Sequence, residues 1–109
     1  MINDALRKAL DNLIDEIMKT EEYKNYRESS EEVKDDNDAL DRIERVRELS
    51  IRVQEMSEDE YNRESENVST RMEELCENPK VSRYIQSEVE FSKVYQYITE
   101  RIISIVDED

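Results

Sequence analysis

Not one of the 109 residues is glycine, and the chain holds a single proline, Pro79. Glycine is the usual supplier of positive φ in tight turns, because it has no Cβ to clash. A sheet or a βα architecture of this length would need many such turns. A chain without glycine is steered instead toward long elements whose ends are closed by side chains. With 42% of residues charged, the composition matches long, solvated helices. The expectation is an all-α fold: a bundle of about five helices, with a long antiparallel helical hairpin and a central C-terminal helix.

Only 36% of residues are hydrophobic, so the core of this small domain is thin. Thin cores are commonly completed by a partner chain, and an oligomer is expected. Thirty acidic residues against 16 basic ones give a net charge of −14. Such a surface repels nucleic acid and anionic membranes, so no direct contact with either is expected. The same composition can mark disorder, but helical periodicity along most of the chain argues against it. Apolar runs are only two or three residues long, which leaves no membrane span and no signal-peptide core. The expected location is cytoplasmic. The length fits one domain over residues 1–109, closed by a short acidic tail at 107–109.

In chain order, Leu6, Ala9, Leu10, Leu13, Ile14 and Ile17 form one amphipathic face, which predicts a first helix over about residues 2–19. Thr20 suits an N-cap, with Glu21 and Glu22 at the positive end of the helix it opens. That second helix carries Tyr23, Tyr26 and Val33. Seven acids crowd residues 28–41, yet an EF-hand loop needs a glycine that is missing, so the run reads as a solvated corner. Asp36, Asn37 or Asp38 can cap a third helix reaching about Met56. Its apolar residues, from Ala39 and Ile43 through Leu49 and Val53, cover more than half its circumference and imply neighbours on two sides. Four arginines between Arg42 and Arg52 read as internal counter-charge.

Ser57 and Glu60 form a capping-box pattern. Tyr61, Ser65, Val68, Met72 and Leu75 then step by four and three, a one-sided seam. With almost no loop at Met56 and Ser57, the third and fourth helices either fold back as an antiparallel hairpin or continue as a kinked rod. The hairpin is expected, because it sets the acid-rich fourth helix beside the arginines of the third. Asn78 and Pro79 open the last helix, because Asn caps and Pro lacks only an N–H that has no partner there. This helix, over residues 78–106, has an apolar arc too wide for one bundle to cover.

Catalytic groups are scarce. There is no histidine, so imidazole bases, imidazole metal ligands and Glu-x-x-His di-iron sites are excluded. Cys76 is the lone cysteine; it has no base near it in sequence and sits at helical spacing with Met72, as a small hydrophobe would. Glu88 falls inside the apolar arc of the last helix, between Ile85 and Tyr95, where a carboxylate must be paired or stay partly wet. An ion pair across helices and partner recognition both account for it. Tyr84 and Tyr95 fit a core or interface with the hydroxyl at the rim. Tyr97 lies outside the arc, where it can meet another protein or simply water. The interface candidates are Glu88, Tyr84, Tyr95, Tyr97, Ile98 and Ile102 on the last helix, with Leu49 and Val53 on the third. No catalytic, cofactor or metal residue is expected.

Two patches carry a resemblance. One is Ile17 with Thr20, Glu21, Glu22, Tyr23, Lys24, Asn25 and Tyr26, followed by Asp38, Ala39 and Leu40. The other is Asn78 and Pro79 with Val81, Tyr84, Ile85, Ser87 and Glu88, then Val94, Ile98 and Ile102. Together they resemble the YlbF/YmcA family of small helical bacterial regulators. The family's Ala-Glu pair is Ser87 and Glu88 here. The resemblance implies a non-enzymatic helical bundle that self-associates, as a dimer, or pairs with paralogues. It also implies a role in complexes that influence ribonuclease Y-dependent RNA processing, and through it competence, biofilm formation and sporulation. Members linked to iron–sulfur clusters carry a cysteine-rich tail; a chain with one cysteine departs from them. The alternative expectation is an acidic scaffold or co-chaperone-like protein that binds a basic partner.

Overall fold

A computed structural model describes residues 1–107. The described residues form five helices and no strand: α1 (Asp4–Met18), α2 (Glu21–Val33), α3 (Asn37–Glu55), α4 (Glu58–Leu75) and α5 (Pro79–Asp107). The protein is an all-α bundle, as the missing glycine predicts. No described residue has a positive φ, so every junction is made in right-handed or extended backbone. The acidic tail predicted at 107–109 lies outside the described residues, except for the backbone of Asp107 that closes α5.

Side chains define the helix starts. Asn3 Oδ1 accepts from the Leu6 N–H at 2.7 Å, and Thr20 Oγ1 accepts from the Tyr23 N–H at 3.2 Å. Asp36 Oδ1 accepts from the Ala39 N–H at 3.0 Å, and Ser57 Oγ from the Glu60 N–H at 3.2 Å. Each bond satisfies one of the amides that a helix N-terminus leaves without a partner. Between α3 and α4 the turn consists of two extended residues, Met56 (ψ 142°) and Ser57 (ψ 164°). So short a connection forces α4 back along α3, and the two pack as the predicted antiparallel hairpin.

The chain divides into two compact units. The first comprises Met1–Glu28 with α5 from Ser87 onward; the second is Ser29–Gln86. The second unit owns the buried hydrophobic core: Val33, Ala39, Ile43, Val46, Leu49, Leu75, Val81 and Tyr84. Ala39 and Val81 are completely inaccessible. Residues 39, 43, 46 and 49 recur at three- and four-residue spacing, which turns one face of α3 inward. On α4 the predicted seam is graded, from buried Leu75 through half-buried Met72, Val68 and Ser65 to exposed Tyr61.

The first unit differs. Helix α1 is strongly amphipathic, yet none of its residues is buried. Leu13 and Ile17 are half-covered, as are Tyr23, Phe91, Val94 and Ile98. Burial along α5 is therefore uneven: Val81, Tyr84 and Ser87 are buried, while Val89 and most apolar residues after it are open.

Candidate interaction surfaces

In the second unit, polar groups tie three helix ends together. The Asp36 carboxylate that caps α3 also takes an ion pair from Lys80 Nζ at 3.3 Å. The Ala39 amide first, and then Lys80, hold its pKa below the ordinary carboxylate value of 3.8. Asn78 opens α5 by accepting from the Lys80 N–H at 3.0 Å, and its amide donates to Asp38 Oδ2 at 3.4 Å. Arg42 pairs with that same Asp38 oxygen at 3.0 Å. Its other arm donates to the Glu74 carbonyl at 2.7 Å and to the Leu75 carbonyl at 3.4 Å, closing the C-terminus of α4. Arg83 and Glu32 add a 2.7 Å pair between α5 and α2. These arginine contacts account for part of the counter-charge read in the sequence. Their chemistry is structural: helix ends capped and pinned.

Arg47 donates to the Tyr84 hydroxyl at 3.1 Å and stacks its guanidinium 5.8 Å from the ring centre. The pair lines a shallow cleft of about 560 Å³ with an apolar floor of Val33, Leu40 and Ile43. Other clefts of this unit are walled mainly by charged side chains such as Arg71, Glu74 and Glu77. Among the described residues no group of three or more Cys, Asp or Glu stands close enough to hold a metal ion. Every described buried side-chain nitrogen or oxygen has a hydrogen-bond partner.

The first unit presents apolar surface instead. Phe91 sits between three tyrosines. Its ring centre lies 5.5 Å from Tyr23 edge-on, 5.4 Å from Tyr26 stacked, and 6.1 Å from Tyr95 edge-on. These are favoured aromatic arrangements, and they clamp α2 to α5. Beyond this clamp, Leu6, Leu10, Ile14 and Met18 form an open stripe along α1, each 43–56% exposed. On α5, Val89, Ile102 and Ile103 are half-open, and Ile105 and Val106 are more than 70% exposed. Exposed apolar side chains gathered along a helix face are the kind of surface through which proteins bind one another.

The residues expected at an interface divide between the two units. Glu88, Tyr95, Tyr97, Ile98 and Ile102 fall in the first unit, all on α5. Tyr95, Tyr97 and Ile102 are exposed; Ile98 and Glu88 are half-buried, and Glu88 already holds an interaction within the chain. Tyr84, Leu49 and Val53 fall in the second unit. Tyr84 and Leu49 are buried in its core and Val53 is half-buried, because the inward face of α3 is used by its own hairpin and by the start of α5. Sequence reasoning recognised the α1 stripe as amphipathic but named none of its residues among the interface candidates. Its signal was present, since α1 has the cleanest single face in the chain, but periodicity does not say what lies against a face.

A family model described as "Control of competence regulator ComK, YlbF/YmcA" matches residues 6–107. No curated protein gives a match, and no solved structure does. Among the described residues no helix is long and apolar enough to cross a membrane.

Proposed function

The chain belongs to the YlbF/YmcA family, and from that premise we propose that it is a non-catalytic cytoplasmic regulator that works by binding other proteins. The family's description, control of the competence regulator ComK, places the chain among regulators. The finer reading is that it modulates ribonuclease Y-dependent RNA processing, and so competence, biofilm formation and sporulation. Its partners are further copies of itself or paralogues. One observation carries this reading: a long apolar stripe left open on helices α1 and α5, in a chain otherwise so charged. Open apolar area of this kind is stable in water when a protein partner covers it.

Affinity capture from the native cytoplasm, followed by mass spectrometry, tests this. Defined protein partners retained at 0.05 M and at about 1 M salt are expected, because apolar contacts outlast screening. Capture lost entirely at high salt would favour an acidic scaffold with a basic partner. Stability that rises with Mg²⁺, Mn²⁺ or Ca²⁺ would count against a regulator without catalysis.

A further inference from the structure

We infer that the cleft between the end of α2, α3 and the start of α5 is a docking site for an acidic segment of a different protein. That segment seats one large apolar side chain on Leu40 and sets a carboxylate against Lys34 and Arg47. This rests on the reading above that the chain works through protein contacts, and it adds an unlike partner to the copies and paralogues named there. The uneven use of α3 carries it. Ala39 and Ile43 are buried in the core of the second unit, at 0% and 3% exposure, while Leu40 beside them is 42% exposed. Leu40 belongs to the second side of the wide apolar arc of α3, and with Val33 and Ile43 it floors the cleft. The walls are held in place: Val33 is buried, and Tyr84 accepts a 3.1 Å bond from Arg47. A cleft already formed spares a partner part of the ordering cost of binding.

Charge selects the occupant. Residues 29–86 hold 17 acids and nine bases, a net −8. The cleft departs from that balance, since its lining sets Lys34 and Arg47 against one carboxylate, Glu44. Lys34 also pairs with Glu31 at 2.8 Å, but the two side chains are 60% and 58% exposed. So exposed a pair is weakly held, and an incoming carboxylate can share the ammonium. The Arg47 guanidinium stands 5.8 Å from the centre of the Tyr84 ring, which orients a planar fork that carboxylates match. The remaining negative charge of the chain is screened beyond about 8 Å at physiological ionic strength, so the nearest cations decide at contact. A basic segment would meet those two cations head-on. A free small molecule finds too little enclosure in so shallow a cleft, because small-ligand pockets cover roughly 70–90% of their ligand. A protein segment adds contacts on either side of its anchoring side chain.

Short fluorescein-labelled peptides, titrated into the full-length protein and followed by anisotropy and by amide chemical shifts, decide the matter. The first has one leucine flanked by glutamates, the second replaces its leucine by alanine, and the third replaces its glutamates by lysines. The first is expected to bind, with shifts centred on Lys34, Leu40 and Arg47. The other two should bind at least about tenfold more weakly. Leu40→Glu and Lys34→Glu should each weaken binding of the first by at least about tenfold with helical content unchanged. Lys34 is a surface side chain, so its variant keeps the test valid if Leu40→Glu fails to fold. Leu10→Ala, on the open face of α1, should bind as the wild type does. No binding of the first peptide at about 1 mM overturns the inference, as does binding that Lys34→Glu leaves unchanged or a lysine peptide that binds as well. Octanoate binding as tightly as the first peptide assigns the cleft to a small amphiphile. Self-association lost in Leu40→Glu but kept in Leu10→Ala assigns it to a second copy. Either result overturns the proposed occupant. All of these outcomes leave the regulator reading standing, which falls only if native capture also retains no protein partner.

Discussion

Val81→Ala is expected to destabilise the second unit by about 2 kcal/mol. Val81 stands in the first turn of α5, just after the Asn78 cap, and has no accessible surface. Removing its two methyl carbons forfeits roughly 0.8 kcal/mol each in transfer free energy, about 1.6 kcal/mol together. The void left behind, some ~50 Å³, adds about 1 kcal/mol if the neighbours do not collapse into it. Alanine's better helix propensity returns about half a kcal/mol. For a chain of this length, with a total stability of roughly 5–15 kcal/mol, that is a large share. It corresponds to a fall in Tm of about 10 °C. Urea unfolding followed by circular dichroism at low micromolar concentration measures it, with the midpoint shifting and the slope unchanged. Ile105→Ala, at a side chain 72% exposed, is the control and should cost no more than about 0.5 kcal/mol. If the Val81 variant loses as little as the control, the second unit has no sealed core at α5, and the burial read at Val81 does not hold in solution.

Ser57→Ala removes the oxygen that receives the Glu60 amide and should cost about 1 kcal/mol, while Ser57→Asp should stay near wild type in the same melts. Asp36 has its pKa held below 3.8 in the folded chain, so its charged form adds stability that is complete above about pH 5 and is lost as pH falls through the folded value. The stability gap between wild type and Asp36→Asn should therefore close on acidification; a gap independent of pH would show that the charge contributes nothing. Glu88→Ala should weaken self-association, read by sedimentation, more than it lowers the melting temperature of the diluted monomer. Unchanged sedimentation together with a lower Tm would make Glu88 purely a folding residue.

The parts of this fold that were legible in the sequence are those governed by local chemistry. Thr20, Asp36, Ser57 and Asn78 could be read as helix starts because a cap joins a side chain to an amide two or three residues on. The short connection at Met56 and Ser57 left a hairpin or a kinked rod, and the acids of α4 beside the arginines of α3 favoured the hairpin. Contacts between distant residues were not legible. Arg42 reaches 32 residues along the chain to the Glu74 carbonyl, and a backbone acceptor leaves no mark on residue type. Leu49 and Leu10 look alike by periodicity, yet one is buried and the other open. Which apolar face is used within the chain and which is left for a partner depends on packing partners that no single helix encodes. The division of α5, with its start buried and its later residues exposed, escaped for the same reason.

The absence of positive φ among the described residues has a consequence for the unfolded chain. Glycine normally makes up about 7% of a protein, which for this length would be roughly eight residues. Each glycine replaced by a side-chain-bearing residue, at a position whose backbone tolerates it, narrows the unfolded ensemble by about 0.4–1 kcal/mol. A chain with none starts from a denatured state poorer in entropy by some 3–8 kcal/mol, comparable to the whole net stability of a small domain. Part of what keeps so thin a core folded thus resides in conformations the unfolded chain cannot visit. It follows that a glycine introduced at an exposed turn, touching nothing, would loosen this protein as surely as a cavity.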